Sequence, residues 1–263
     1  MIPRLAALLT LATLLAAAGC ATTPRGTVPT GTPEPDRFLF DKGNEALGKK
    51  KWLTAREYFK QVVETYTQSS YRPDAKLGIG DTYLGEDTSE SLVLAINEFR
   101  EFLSFYPTNP RADYAQYKLA LSHFRQMRAA QRDQTETKEA VREFENFVER
   151  YPRSKLIDDG KAKLREAKDR LDEADYFVGL YYFRARWYPA AIDRFKALLK
   201  QDPGYTRRDA VYYYLGESLI KMKLEAEALP YFDKLVKEFE RSEYLEEARK
   251  RVAELKAQAA AKP

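Results

Sequence analysis

The chain has 263 residues, 44 of them Lys or Arg and 40 Asp or Glu, so its formal net charge is only +4. The two signs alternate along the sequence instead of gathering in one basic patch, which argues against nucleic acid as a partner. One cysteine and one histidine exclude an internal disulfide framework and a His/Cys metal cluster.

Arg4 precedes an uncharged run from Leu5 to Ala18, too short to span a bilayer but of the length of a secretory leader. It ends in Ala16-Ala17-Ala18-Gly19-Cys20, which resembles the lipobox of bacterial lipoproteins, although Ala17 stands where leucine is commoner. The resemblance implies that Cys20 becomes the first mature residue and is acylated. The other reading is an ordinary leader with an incidental cysteine. Ala21 follows rather than aspartate, and by the same resemblance that implies sorting to the outer membrane. Each buried CH₂ of an acyl chain contributes about 0.8 kcal/mol, and two chains suffice for firm anchoring. Residues 21–35 are rich in Pro, Thr and Gly without apolar periodicity, and so read as a disordered tether.

Beyond Pro35 one unit recurs. Alanine is followed four residues later by phenylalanine at Ala55/Phe59, Ala95/Phe99, Ala140/Phe144, Ala191/Phe195 and Ala228/Phe232. Residues i and i+4 share a helical face. Eleven positions after the alanines stand Tyr66, Tyr106, Tyr151, Asp202 and Phe239, and Pro107, Pro152 and Pro203 come next in three of the five. Proline cannot continue a helix and turns the residue before it away from helical angles. The pattern predicts helices over 36–49, 53–66, 73–84, 89–106, 111–127, 136–151, 156–184, 188–201, 208–222, 225–239 and 243–260, with no convincing strand. Gly43, Gly78, Gly179 and Gly216 supply a small residue in the first helix of a pair where the second crosses it. Glycine costs about 1 kcal/mol in a helix interior, so close contact is its reason to be there.

Small residue, aromatic near the turn, then alanine and phenylalanine is the tetratricopeptide pattern. Repeats of that kind run to about 34 residues. Here they are longer, which predicts longer helices and inserted loops, one of them at 128–137. The expected fold is all-α, a solenoid of about five tetratricopeptide-like helix pairs. Its expected divisions are a leader (1–19), lipidated Cys20 and tether (20–35), a repeat domain (36–255, halved near 155/156) and a tail (256–263).

Lipobox, tether and repeats together resemble the BamD family, lipoproteins of the outer-membrane β-barrel assembly machinery. The segments carrying the likeness are FREFLSFYPTNPRADYAQY at Phe99–Tyr117, RDQ at Arg132–Gln134, FENFVERYPRS at Phe144–Ser154 and YYFRARWYPAAIDR at Tyr181–Arg194. It is weaker at both ends, where the first repeat lacks Tyr-Pro and the last closes Phe-Glu. The resemblance implies a lipid-anchored scaffold on the periplasmic face of the outer membrane. Its carboxy-terminal half would dock on the barrel-assembly protein BamA and neighbouring lipoproteins, and its amino-terminal repeats would receive unfolded outer-membrane proteins. Another tetratricopeptide lipoprotein, such as a secretin pilotin, or a cell-wall-associated activator is the alternative.

Enzymatic chemistry finds little support. His123 reads as a core or interface histidine or, less well, a general base. The carboxylate pairs Asp158/Asp159 and Glu246/Glu247 read as solvated. No cofactor is expected beyond the lipid on Cys20. Binding is the remaining activity, and arginine and aromatic residues are its usual anchors. The densest cluster of these runs from Tyr181 to Tyr188. Tyr182 and Tyr188 fall at packing positions there, leaving Tyr181, Arg184 and Arg186 for a partner, with Arg207 and Arg208 further on. Of Tyr212, Tyr213 and Tyr214, pointing different ways round one helix, at least one should be exposed or at a contact.

Overall fold

The computed structural model describes residues 28–260, and among these the regular structure is eleven α-helices without a strand. They are α1 (Pro35–Gly48), α2 (Trp52–Thr65), α3 (Arg72–Glu86), α4 (Ser89–Phe105), α5 (Ala112–Phe124), α6 (Thr135–Arg150), α7 (Ile157–Arg184), α8 (Tyr188–Gln201), α9 (Arg208–Lys221), α10 (Glu225–Glu238) and α11 (Leu245–Ala260). The chain forms two compact units, divided between Gly85 and Glu86. The halves expected from sequence divided near 155/156, but α6 and α7 pack on each other across that point within the second unit.

The recurrent aromatic marks where helices stop. Tyr66, Tyr106, Tyr151, Asp202 and Phe239 are the C-caps of α2, α4, α6, α8 and α10. Each amide still bonds the carbonyl four residues back, while its ψ leaves helical values. A following proline enforces that departure in three of them. At the opposite end, α4 begins with a capping box: the Ser91 amide donates to Thr88 Oγ1 (3.1 Å) and the Thr88 amide to Ser91 Oγ (2.9 Å).

All five alanine–phenylalanine pairs are completely buried. In the first unit the Phe59 ring lies between α1 and α3: a Cβ added at Gly43 or Gly78 would come within 2.5 or 2.6 Å of it. Gly78 therefore serves the helix before it, where the sequence pattern had it facing the helix after. Gly179 meets Phe195 and Gly216 meets Phe232 in the same way. In the second unit every helix from α4 to α11 packs on the next, and α7 also touches α5 and α9. This is an all-α helical-repeat fold, and within the second unit each helix leans on its sequence neighbours.

Two small devices recur. Lys50, Arg186 and Lys223 have positive φ (56°, 62° and 59°), and the following amide reaches back five residues each time, Trp187 to the Tyr182 carbonyl at 2.9 Å. That is the Schellman closure of a helix, with a long cationic residue where glycine is usual. The second device is a staple. Ser69, Ser154 and Ser242, each three residues past a cap aromatic, donate to Asp36, Asp113 and Asp209 in the first turn of an earlier helix, at 2.6–2.7 Å. Thr206 holds Asp169 through both its amide (3.1 Å) and hydroxyl (3.0 Å).

Candidate partner-binding surface

The long helix α7 ends in the aromatic cluster, and the turn into α8 sorts its members. Phe183 is turned inward, edge-on to Tyr214 (5.1 Å) and Tyr188 (5.8 Å). Tyr182 is half-buried and stacks on Trp187, centroids 6.0 Å apart and planes 18° off parallel. Tyr182 and Tyr188 thus pack as their repeat positions imply. What remains outside is Tyr181, 66% exposed, Trp187, 64% exposed, and the exposed Arg184 and Arg186. Neither arginine has an ion-pair partner among the described residues. Arg186 is aimed outward because it occupies the left-handed position of the turn.

Arg207 and Arg208, the other expected contacts, are engaged inside the chain. Arg207 bonds Glu173 of α7 (3.1 Å) and lies 5.7 Å from the centre of the Tyr176 ring. Arg208 donates to the Tyr205 carbonyl (3.0 Å), approaches Glu238 of α10 (3.6 Å) and covers the Phe239 ring. Glu173 and Tyr181 are two turns apart on one face of α7, about 12 Å along its axis. Arg207 and Arg208 are brought to the α8–α9 turn, apart from the Tyr181–Trp187 group.

Beneath the surface runs an aromatic chain. Tyr213 stacks on Tyr244 at 4.7 Å, and Tyr214 touches Phe183, Tyr176 and Tyr244. None of Tyr212, Tyr213 and Tyr214 is exposed; their contacts lie within the chain.

Sequence reasoning missed a carboxylate pair, Asp172 buried and Asp202 half-buried. Asp172 is 3% exposed. Arg165 donates to both Asp172 (3.1 Å) and Asp202, and pairs with Asp169 (2.9 Å). Burial, reinforced by the hydrogen bond to Asp202, pushes Asp172 up to about 8. Burial opposes ionisation of Asp202 too, yet bonds from Arg165 and Asp172 hold it at about 2. The pair shares a proton, with Arg165 neutralising the charge that is left.

His123 is buried, its Nδ1 2.7 Å from Glu136 Oε2, and so tethers the start of α6 to α5. Asp159 is exposed, yet it accepts a hydrogen bond from the buried Tyr117, whose hydroxyl is held protonated by burial and by that carboxylate. It ties α7 to α5 rather than standing free in solvent. No group of three His, Cys, Asp or Glu side chains suited to a metal occurs among the described residues. No described helix is long and apolar enough to cross a membrane. Cys20, the leader and most of the tether lie outside the described residues.

Stacked helix pairs of this kind define a helical-repeat protein. The sequence matches the YfiO family model, described as outer membrane lipoprotein, over residues 33–229. The chain belongs to that family, a non-enzymatic family of assembly factors. The outer membrane protein assembly factor BamD of Caulobacter vibrioides is 29% identical over 223 residues, covering 83% of this chain and 72% of that protein. BamD of Vibrio cholerae is 28% identical over 195 residues, covering 70% and 78%. A solved complex of the yeast Sti1 TPR2AB domain aligns over 85% of this chain and 84% of its own, at 11% identity and a TM-score of 0.46.

Proposed function

We propose that the chain is a lipid-anchored scaffold on the periplasmic face of the outer membrane, working in outer-membrane protein assembly. Cys20 carries the lipid, the carboxy-terminal helix pairs dock on the barrel-assembly protein, and the amino-terminal pairs receive unfolded outer-membrane proteins. The role of the relatives as assembly factors supports the setting. The observation that carries the docking is the outward group of Tyr181, Arg184, Arg186 and Trp187 at the α7–α8 turn. Aromatic and arginine side chains dominate the centres of protein interfaces. Arg207 and Arg208 hold α7 and α10 around that region from the α8–α9 turn. Confinement by lipid raises the effective concentration of scaffold and partner without a new contact.

Photoreactive residues placed at 186 and, separately, at 42 in living cells test the docking. Position 186 should trap the barrel-assembly protein. Trapping of it from Lys42 of α1 alone would overturn the assignment. Cys20→Ala should move the protein to the soluble periplasmic fraction and reduce the cross-link at 186.

A further inference from the structure

A cleft between α8 and α10, floored by α9, carries an unusual charge. Its volume is about 410 Å³, and its rim bears four cations, Lys196, Lys200, Arg208 and Lys234. No carboxylate lines it. Four other clefts of the chain each include at least one, such as Asp87, Asp209, Asp113 and Asp172. Two of the cations are partly offset from outside: Lys196 by Glu227 (3.1 Å) and Arg208 by Glu238 (3.6 Å). Lys200 and Lys234 have no carboxylate partner among the described residues, and the Lys234 ammonium stands 6.0 Å from the Tyr212 ring.

The cleft also has apolar walls. Tyr212 is buried and Tyr231 half-buried, their rings 6.3 Å apart, with Leu199 and Pro203 alongside. Rings beside ammonium and guanidinium groups suit a ligand that presents an apolar side chain flanked by carboxylates. A phospholipid would need exposed apolar surface for its chains next to the headgroup site. The large exposed apolar side chains, including Phe105, Tyr181, Trp187, Met222 and Leu224, all lie elsewhere.

We propose that this cleft binds an acidic segment of a partner protein, an apolar or aromatic residue seated against Tyr231, Leu199 and Pro203 and its flanking carboxylates held by Lys200 and Lys234. Its lining shares no residue with the α7–α8 turn, so it is a second attachment point whatever that turn contacts.

The test uses the full-length protein in an uncharged detergent and a fluorescein-labelled peptide of sequence Asp-Phe-Glu-Leu-Asp, followed by fluorescence anisotropy. The peptide should bind the wild-type chain. Lys200→Glu combined with Lys234→Glu should weaken binding by about tenfold or more while the circular dichroism stays unchanged, as expected when two rim charges are reversed. Arg184→Ala with Arg186→Ala should leave binding unaltered, which separates the cleft from the docking turn. Equal binding of the counterpart Lys-Phe-Lys-Leu-Lys, or undiminished binding by the charge-reversed variant, would overturn the proposal. So would a chain that ignores the peptide but sediments with phosphatidylglycerol vesicles in a Lys200- and Lys234-dependent manner.

Discussion

Asp172 shows what burial does to one carboxyl group. In an unfolded chain it titrates near 3.8, and in the folded protein near 8, so between those values the folded state binds the extra proton. Stability therefore falls as pH rises from about 4 to about 8 through this group. Asp202 acts with the opposite sign and over a lower range: held near 2, it adds stability above about 4 that is lost as the solution is acidified. Asp172→Asn keeps a neutral donor toward Asp202 and removes the titration. The melting temperature of the variant should fall less between pH 5 and pH 8 than that of the wild type. An identical slope in both would mean that the shared proton does not exist. Nothing in the stretch Asp169-Arg170-Leu171-Asp172-Glu173 marks this residue out, since a buried charged side chain looks in sequence like any solvated one. Its burial and the arrival of Asp202 from the cap of α8 together set it apart.

At the scale of single elements, the helix-to-helix turns put long cations where glycine is usual. A left-handed conformation costs a non-glycine residue about 1–2 kcal/mol, and glycine gives back part of that gain through its freer unfolded chain. Arg186 is exposed and unpaired, so Arg186→Gly should raise stability by about 0.5–1 kcal/mol in denaturant unfolding while weakening docking through the α7–α8 turn. A drop in stability would show that the guanidinium has a structural task. Element ends were legible in sequence because the cap aromatic and proline act locally: Tyr106-Pro107 and Tyr151-Pro152 stop α4 and α6 where the pattern put them. The exposure of Tyr181, Arg184 and Arg186 was legible for a related reason, since neighbouring packing positions were already claimed by Tyr182 and Tyr188. Longer-range relations were not. Gly78 announces a close contact but not its partner, and Phe59 turned out to be shared by two glycines. The staples Ser69–Asp36 and Ser154–Asp113 join residues whose separation shifts with each inserted loop, so no fixed spacing betrays them.

In the second unit as a whole, stacking without long-range ties means that damage should stay local. α11 closes the stack: it buries Leu245, Ala248 and Leu255, and its Arg251 grips the buried Glu217 of α9 through two bonds of 2.6 and 3.2 Å. Just before it, Tyr244 stacks on Tyr213. A chain ending at Ser242 loses all of these, and Glu217 and the apolar surface of α9 and α10 that α11 covers return to water. Because α4, α5 and α6 have no packing contact of substance with α11, their share of the core is untouched. Hydrogen exchange should then accelerate in α9 and α10 while the amides of α4 and α5 keep their protection, the graded response of a nearest-neighbour array. Equal loss of protection from α4 through α10 would instead mean that the unit opens as one cooperative block, and the α8–α10 cleft could not be altered without disturbing α4–α6.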